Sequence, residues 1–252
     1  MGVLQEKVAI VTGAGQGVGE GIAYALAAEG ARVVAAGRTL DKVERTVAEI
    51  ERRGGTGLAL RCDVKDEADI EATVAATVER FGRVDILVNN AQEVTIAPLL
   101  ASTRGDFLAG FCSGPLAAFS FMKAAHPHLL ASQGVVINLA TAAALRPDPN
   151  NYGFYAAVKE AMRTLTRTAA CEWGPDGIRV LNLVPLATSA GFEQWAADRP
   201  DEAAAFLQTV PLRRVGSCEQ DIGRVAVWMC SPDAAYVTGS TIIADGGQAY
   251  LR

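Results

Sequence analysis

Short apolar, β-branched runs alternate along the chain with longer stretches in which apolar positions recur every three to four residues. The run VAIV at 8–11 reads as a strand, and a helix follows over about 17–29 with Ile22, Ala23 and Leu26 as its apolar stripe. Six further strands fit at 31–36, 58–64, 84–90, 134–140, 178–184 and 240–245, with helices at 41–53, 67–81, 98–130 and 152–173. Strands this apolar are covered on both faces, and strict alternation with helices implies parallel pairing. Right-handed crossovers then give an α/β fold, a doubly wound domain whose seven-stranded parallel sheet is flanked by helices. No repeat, low-complexity tract or Pro/Ser-rich linker interrupts the series, so one domain over 1–252 is expected.

The segment TGAGQGVGEG, 12–21, follows the first strand directly and opens the first helix. In such a turn one glycine permits the tight bend, one lets backbone approach a pyrophosphate, and one lets helix and strand pack closely. Gly13, Gly17 and Gly19 are the candidates, with Gln16 and Val18 beside them. The helix N-terminus offers phosphate its free N–H groups and positive dipole end. After the first strand of a seven-strand pattern, this loop predicts a Rossmann-type domain that binds a dinucleotide. At the end of the second strand, where an acid would hold the ribose 2′-OH of NAD, the chain has Gly37-Arg38. An arginine there suits a 2′-phosphate, so NADP is expected ahead of NAD, although Gln16 adds no second positive charge to the loop.

Composition removes several other classes. Half of the residues are hydrophobic and the net charge is -5, with no basic stripe of the kind that binds nucleic acid. The five cysteines are scattered without C-x-x-C spacing, which fits a reducing compartment and no structural zinc. His126 and His128 flank Pro127 and read as a helix-end turn; no metal is expected. The first residues carry neither a signal-peptide pattern nor, with Glu6 where Ser or Thr is wanted, a myristoylation signal. The longest apolar stretch, 107–122, is short for a membrane span and is broken by Gly114-Pro115. A cytoplasmic protein with no membrane partner is expected.

In YGFYAAVKEAM, 152–162, Tyr155 and Lys159 stand one helical turn apart on a common face. A phenol beside an ammonium makes a proton-transfer pair, because the cation stabilises the phenolate and brings a group that titrates near pH 10 towards neutrality.

Together TGAGQGVG, NNA at 89–91, the Y-x-x-x-K of Tyr155 and Lys159, and YVTGSTIIADGG at 236–247 resemble the short-chain dehydrogenase/reductase family over essentially the whole chain. The resemblance implies hydride transfer between a nicotinamide and a carbonyl or alcohol carbon. Tyr155 would be the general acid or base, and Lys159 would lower its pKa and hold the nicotinamide ribose. Asp63, with Val64 next to it, would contact the adenine. Asn89 and Ala91 would line the cofactor cleft, and Thr188, after Pro185, would touch the carboxamide.

The same resemblance marks departures that make the tetrad degenerate. The family's catalytic asparagine aligns with Gly114, followed by Pro115. Its serine aligns with Ala142 when counted back from Tyr155, or with Thr141 when strand ends are matched; Thr141 is preferred, since a one-residue loop insertion is cheap. Gln92 replaces the glycine of N-N-A-G, and Leu186 replaces the glycine after Pro185, so both put bulk beside the nicotinamide. The segment 187–216 corresponds to the family's substrate lid, and its Phe192, Trp195 and Phe206 suit a medium-sized hydrophobic carbonyl or alcohol. The helix faces at 98–130 and 152–173, with the C-terminal segment, imply a homotetramer. Two activities remain open: an NADP-dependent carbonyl reductase or alcohol dehydrogenase, and a non-redox protein on the same scaffold that holds NADP as a fixed ligand or uses Tyr155 for elimination or isomerisation.

Overall fold

The computed structural model describes residues 2–145 and 153–249. Residue 152, the predicted start of the Tyr155 helix, lies outside them, as do residues 1 and 250–252 of the predicted domain. The strands are β1 (Val8–Thr12), β2 (Arg32–Gly37), β3 (Thr56–Arg61), β4 (Ile86–Asn89), β5 (Val135–Leu139), β6 (Arg179–Pro185) and β7 (Thr241–Ala244). They form one seven-stranded sheet in the order β3-β2-β1-β4-β5-β6-β7, and every pairing is parallel. The doubly wound sheet expected from the alternating pattern is therefore present. The order reverses between β1 and β4, and in such sheets ligands settle beyond the strand ends at that crevice.

Helices α1 (Gly17–Ala28), α2 (Leu40–Arg52) and, late in the chain, α9 (Arg224–Cys230) cover one face through Ile22, Leu26, Val43, Ile50 and Met229. The other face is covered by α3 (Glu67–Phe81), α5 (Ala117–Ser132) and α6 (Gly153–Trp173), with Ile70, Phe121, Leu129 and Ala169 inside. Removing each large side chain of this kind from water is worth about 1.5–3 kcal/mol. Strands β1, β4 and β5 are buried at every position, which is why their sequences run apolar without alternation.

A polar seam crosses this interior. Asn89, Asn138, Asn182 and Thr241 are register partners on four adjacent strands. Asn89 Nδ2 donates to Asn138 Oδ1 at 2.8 Å, and Asn138 Nδ2 donates to Thr166 Oγ1 on α6 at 2.9 Å. The Thr166 hydroxyl lies 2.7 Å from Asn182 Oδ1, an acceptor.

The long helix expected over 98–130 is divided. It begins as α4 (Arg104–Phe111), where Thr103 and Asp106 form a reciprocal capping box: Asp106 N donates to Thr103 Oγ1 at 3.1 Å and Thr103 N to Asp106 Oδ2 at 2.9 Å. A π-helical turn, Cys112–Leu116, then joins it to α5. Pro115 lies inside that turn; a proline has no N–H to give the preceding turn and its ring crowds the carbonyl there, so the backbone widens. At His126-Pro127-His128 the expectation of a helix end is corrected, for α5 runs on to Ser132. The His126 ring packs edge-on against Trp173, 4.8 Å between centroids, and Ala125 and Leu129 hold this stretch in the core. By length and composition the run Arg104–Ser132 is apolar enough to cross a membrane, with a mean hydropathy of 1.2 in its most apolar window; 44% of that window is buried within the fold.

Candidate active site

The glycine turn is built as its residues require. Gly13 has φ 66°, the left-handed region that a side chain strains, and its N–H donates to Ala36 O of β2 at 2.8 Å. At Gly19 a Cβ would lie 2.4 Å from Asn90 Nδ2 and 2.5 Å from Gly13 O, so only glycine lets α1 start this close to the turn. Asn90 ties the turn to β4: its Nδ2 donates to Thr12 O at 2.9 Å, and its N–H to Thr12 Oγ1 at 3.0 Å. Gln16 precedes Gly17 and Val18 at the start of α1 but makes no side-chain cap, so the first-turn N–H groups are open to an anion. Its amide oxygen instead accepts from Lys42 Nζ at 2.5 Å.

The turn forms one wall of a cleft of about 270 Å³ at the switch point. Gly13, Gln16, Arg38, Asp63, Val64, Ala91 and Gln92, all predicted from sequence, line it, together with Lys42, Asn90, Glu93 and Ser113. Loops after β1, β2, β3 and β4 thus converge on one concavity whose glycine cradle and uncapped helix end fit the pyrophosphate of a dinucleotide.

Asn89 does not line this cleft; its side chain is buried, its Nδ2 donates to Asn138, and its Oδ1 accepts no hydrogen bond from the described residues. Leu186, expected beside the nicotinamide, lines a separate cavity of about 470 Å³ with Leu212, Arg214 and Val225 beyond β6 and β7. Its N–H is held by Ala244 O at 3.0 Å, which fixes the exit from β6 after Pro185. Thr188 N donates to Gly216 O at 2.8 Å, so the two ends of the segment 187–216 are joined by backbone bonds. The segment 187–216 contains α7 (Ala190–Asp198) and α8 (Pro200–Thr209). Phe192, Trp195 and Phe206 form a triangle of half-buried rings with centroids 5.6 to 6.1 Å apart, close enough for tilted aromatic packing.

Tyr155 sits in the first turn of α6, and Lys159 one turn on has its Nζ 5.8 Å from the Tyr155 ring centroid. Lys159 is buried, and its Nζ donates to Leu139 O at the end of β5 at 2.7 Å. Burial pulls its ammonium pKa down to about 7. Thr141 leaves β5 at the same end; its Oγ1 accepts from Ala143 N at 3.4 Å, capping the short turn that Ala142 begins.

Gln92 and Gly114 prove to be a fitted pair. Gln92 Nε2 donates to Gly110 O at 2.8 Å, Glu93 O at 2.9 Å and Ser113 Oγ at 3.2 Å, which fixes the amide's orientation. Its Oε1 is thereby turned towards Gly114, where a Cβ would lie only 2.3 Å away. Gln92 Oε1 is buried and accepts no hydrogen bond from the described residues. The cleft-wall residues without a sequence signal include Lys42, Asn90, Glu93 and Ser113. Asn90 belongs to the NNA motif; Lys42 reaches the cleft from the first turn of α2, Glu93 from the loop after β4 and Ser113 from the π-helical turn. Among the described residues no group of His, Cys, Asp or Glu could hold a metal ion.

A parallel doubly wound sheet, a glycine-cradled cleft at its switch point and a tyrosine–lysine pair at the neighbouring strand ends define a nicotinamide-dependent oxidoreductase. A family model described as Enoyl-(Acyl carrier protein) reductase matches residues 13–249. The chain is 41% identical to 12alpha-hydroxysteroid dehydrogenase of Clostridium sp. (strain ATCC 29733 / VPI C48-50), over 98% of each. It is 33% identical to 7alpha-hydroxysteroid dehydrogenase of Escherichia coli (strain K12), over 97% of this chain and 94% of that one. A solved putative short-chain alcohol dehydrogenase from Sinorhizobium meliloti 1021 superposes with a TM-score of 0.90 at 34% identity, over 99% of this chain and 98% of that one. The chain belongs to the short-chain dehydrogenase/reductase family, as an oxidoreductase that uses a nicotinamide cofactor.

Proposed function

We propose that this protein is an NADP-dependent dehydrogenase of hydroxysteroid-like alcohols and ketones, with Tyr155 as its general acid and base. The observation that carries the reading is the Tyr155–Lys159 pair, the ammonium nitrogen 5.8 Å from the phenol ring and buried beside the end of β5. When bound, the dinucleotide supplies the hydride acceptor or donor. The Tyr155 phenol would then give its proton to the carbonyl oxygen during reduction, and the Tyr155 phenolate would take the hydroxyl proton during oxidation. Lys159 lowers the cost of the phenolate and would hold the nicotinamide ribose, and the phenolate in turn favours the charged form of the buried ammonium. Because Thr141 Oγ1 accepts from Ala143 N, its own proton is left to donate to the substrate oxygen.

Arg38, with Lys42 on the same wall, supports the 2′-phosphate reading. The aromatic triangle of the lid and the two hydroxysteroid-dehydrogenase relatives support a medium-sized, rigid, apolar substrate. The exposed apolar face of Phe107, Leu108, Phe111, Leu116 and Phe119 supports a homo-oligomer, with a tetramer as the reading. The non-redox reading rests on Gly114, Gln92 and Leu186: Gln92 does line the cleft, with its amide tied onto the π-helical turn, and Leu186 lines the neighbouring cavity.

The test is NADPH consumption with steroid ketones and, in parallel, short aliphatic ketones. Turnover of the steroids, abolished in Tyr155→Phe with NADPH binding retained, is the expected result. A Tyr155→Phe variant with wild-type turnover would refute the assignment of the acid.

A further inference from the structure

Glu93 stands four residues beyond β4, and its backbone is pinned: its N–H donates to Ser113 Oγ at 2.9 Å, and its carbonyl accepts from Gln92 Nε2 at 2.9 Å. From that anchor the side chain reaches across the cleft mouth. Its Oε1 pairs with the Arg38 guanidinium, beyond β2, and accepts from Lys65 Nζ, beyond β3, at 2.9 Å. Glu93 is 26% exposed, against 58% for Arg38 and 35% for Lys65, so the carboxylate is the inner member of the cluster. Glu93 and Arg38 both line the cleft, with Lys42 and Asp63 as its other charged groups.

We propose that Glu93 is a specificity-determining residue: its carboxylate occupies the Arg38 guanidinium that a ribose 2′-phosphate needs, and so sets how strongly this protein prefers NADP over NAD. The inference rests on the reading of Arg38 as the phosphate contact. A carboxylate and a phosphate monoester compete for the same fork of N–H donors, and held side by side they repel. NADP therefore binds only after Glu93 gives up Arg38. NAD, with a neutral 2′-hydroxyl, meets no such opponent. The residue thus moderates a preference that Arg38 alone would make steep.

The experiment titrates the full-length protein with NADPH and, separately, NADH by cofactor fluorescence, in wild type, Glu93→Gln, Arg38→Ala and the double variant. Glutamine keeps the length and the backbone anchors but removes the charge. From the repulsion of one charge a few ångströms away, Glu93→Gln is expected to tighten NADPH about tenfold. NADH should change less than about threefold, and the gain should vanish in the Arg38→Ala background. If Glu93→Gln leaves NADPH unchanged, or tightens both cofactors alike, the proposal is wrong. If Arg38→Ala binds NADPH as wild type does, the phosphate is not read at Arg38 and the NADP assignment itself fails, whatever Glu93→Gln does.

Discussion

Gly114→Ala reverses the sign of its effect according to what stands at position 92. In a helical turn, replacing glycine by alanine normally stabilises, by about 0.5–1 kcal/mol, because the unfolded chain has less freedom to lose. Here the new Cβ would sit 2.3 Å from Gln92 Oε1 and 3.1 Å from its Cδ and Nε2. The amide cannot swing aside cheaply, since its Nε2 is engaged by Gly110 O, Glu93 O and Ser113 Oγ. Overpacking of this kind costs about 1–3 kcal/mol, and each hydrogen bond given up to relieve it costs about 0.5–1.5 kcal/mol. With Gln92 present, Gly114→Ala should therefore destabilise by roughly 1–3 kcal/mol. In a Gln92→Ala background the Cβ has room, and the same substitution should stabilise by about 0.5–1 kcal/mol. The coupling energy is the difference, roughly 1.5–4 kcal/mol, which runs from the middle of the range for side chains in contact to somewhat above it. Thermal unfolding of the four proteins at one protein concentration reads it, at about 2–4 °C per kcal/mol for a chain of this size. Equal shifts for Gly114→Ala in both backgrounds would show that the two residues do not share the space.

Two further outcomes follow from buried polar groups. The pKa of Lys159 is held at about 7 in the cofactor-free fold, whereas unfolded it titrates near its model-peptide value of about 10.4. The folded state thus binds fewer protons between those limits, so stability relative to Lys159→Met should rise by about 1.4 kcal/mol per pH unit from pH ~7.5 to ~9.5; a gap that stays flat in denaturant unfolding across that range would contradict the burial argument. Asn138→Ala strips the acceptor from Asn89 Nδ2 and the donor from Thr166 Oγ1 inside the sheet, and should cost about 2–4 kcal/mol, against under 1 kcal/mol if water enters and pairs both.

The alternation of apolar runs made the sheet legible, because strands buried on both faces leave no polar interruptions to confuse the period. The glycine turn was equally legible, since positive φ at Gly13 and the close approach at Gly19 can be met by little else. Two helix ends were not legible: the capping box at Thr103 starts the helix later than the periodicity suggests, and Pro127 does not end it, so local caps and tertiary packing decide both cases. At the site, residue types singled out Tyr155 and Lys159 but not the direction in which side chains point. Gln92 reads from sequence as bulk beside the nicotinamide; it lines the cleft, and its amide also fills the space at Gly114, which no motif foretells. Asn89 reads as cleft lining and lies instead in the sheet. Glu93 had no signal at all, because its partners come from the ends of two other strands.

The seam of Asn89, Asn138, Asn182 and Thr241 has a consequence for how the site is levelled. Parallel strands of valine, isoleucine and leucine can slide by two residues and still present apolar side chains to the same face, so burial alone distinguishes such alignments poorly. Amides that meet only when the four strands stand at one height remove that freedom, because any slip would strand several polar groups in a dry interior. Asn90 lies one residue beyond the seam, Thr141 three beyond it on β5 and Pro185 three beyond it on β6. The turn after β1, the Thr141 hydroxyl and the chain leaving β6 are thus all measured from a common datum, set below the cleft floor.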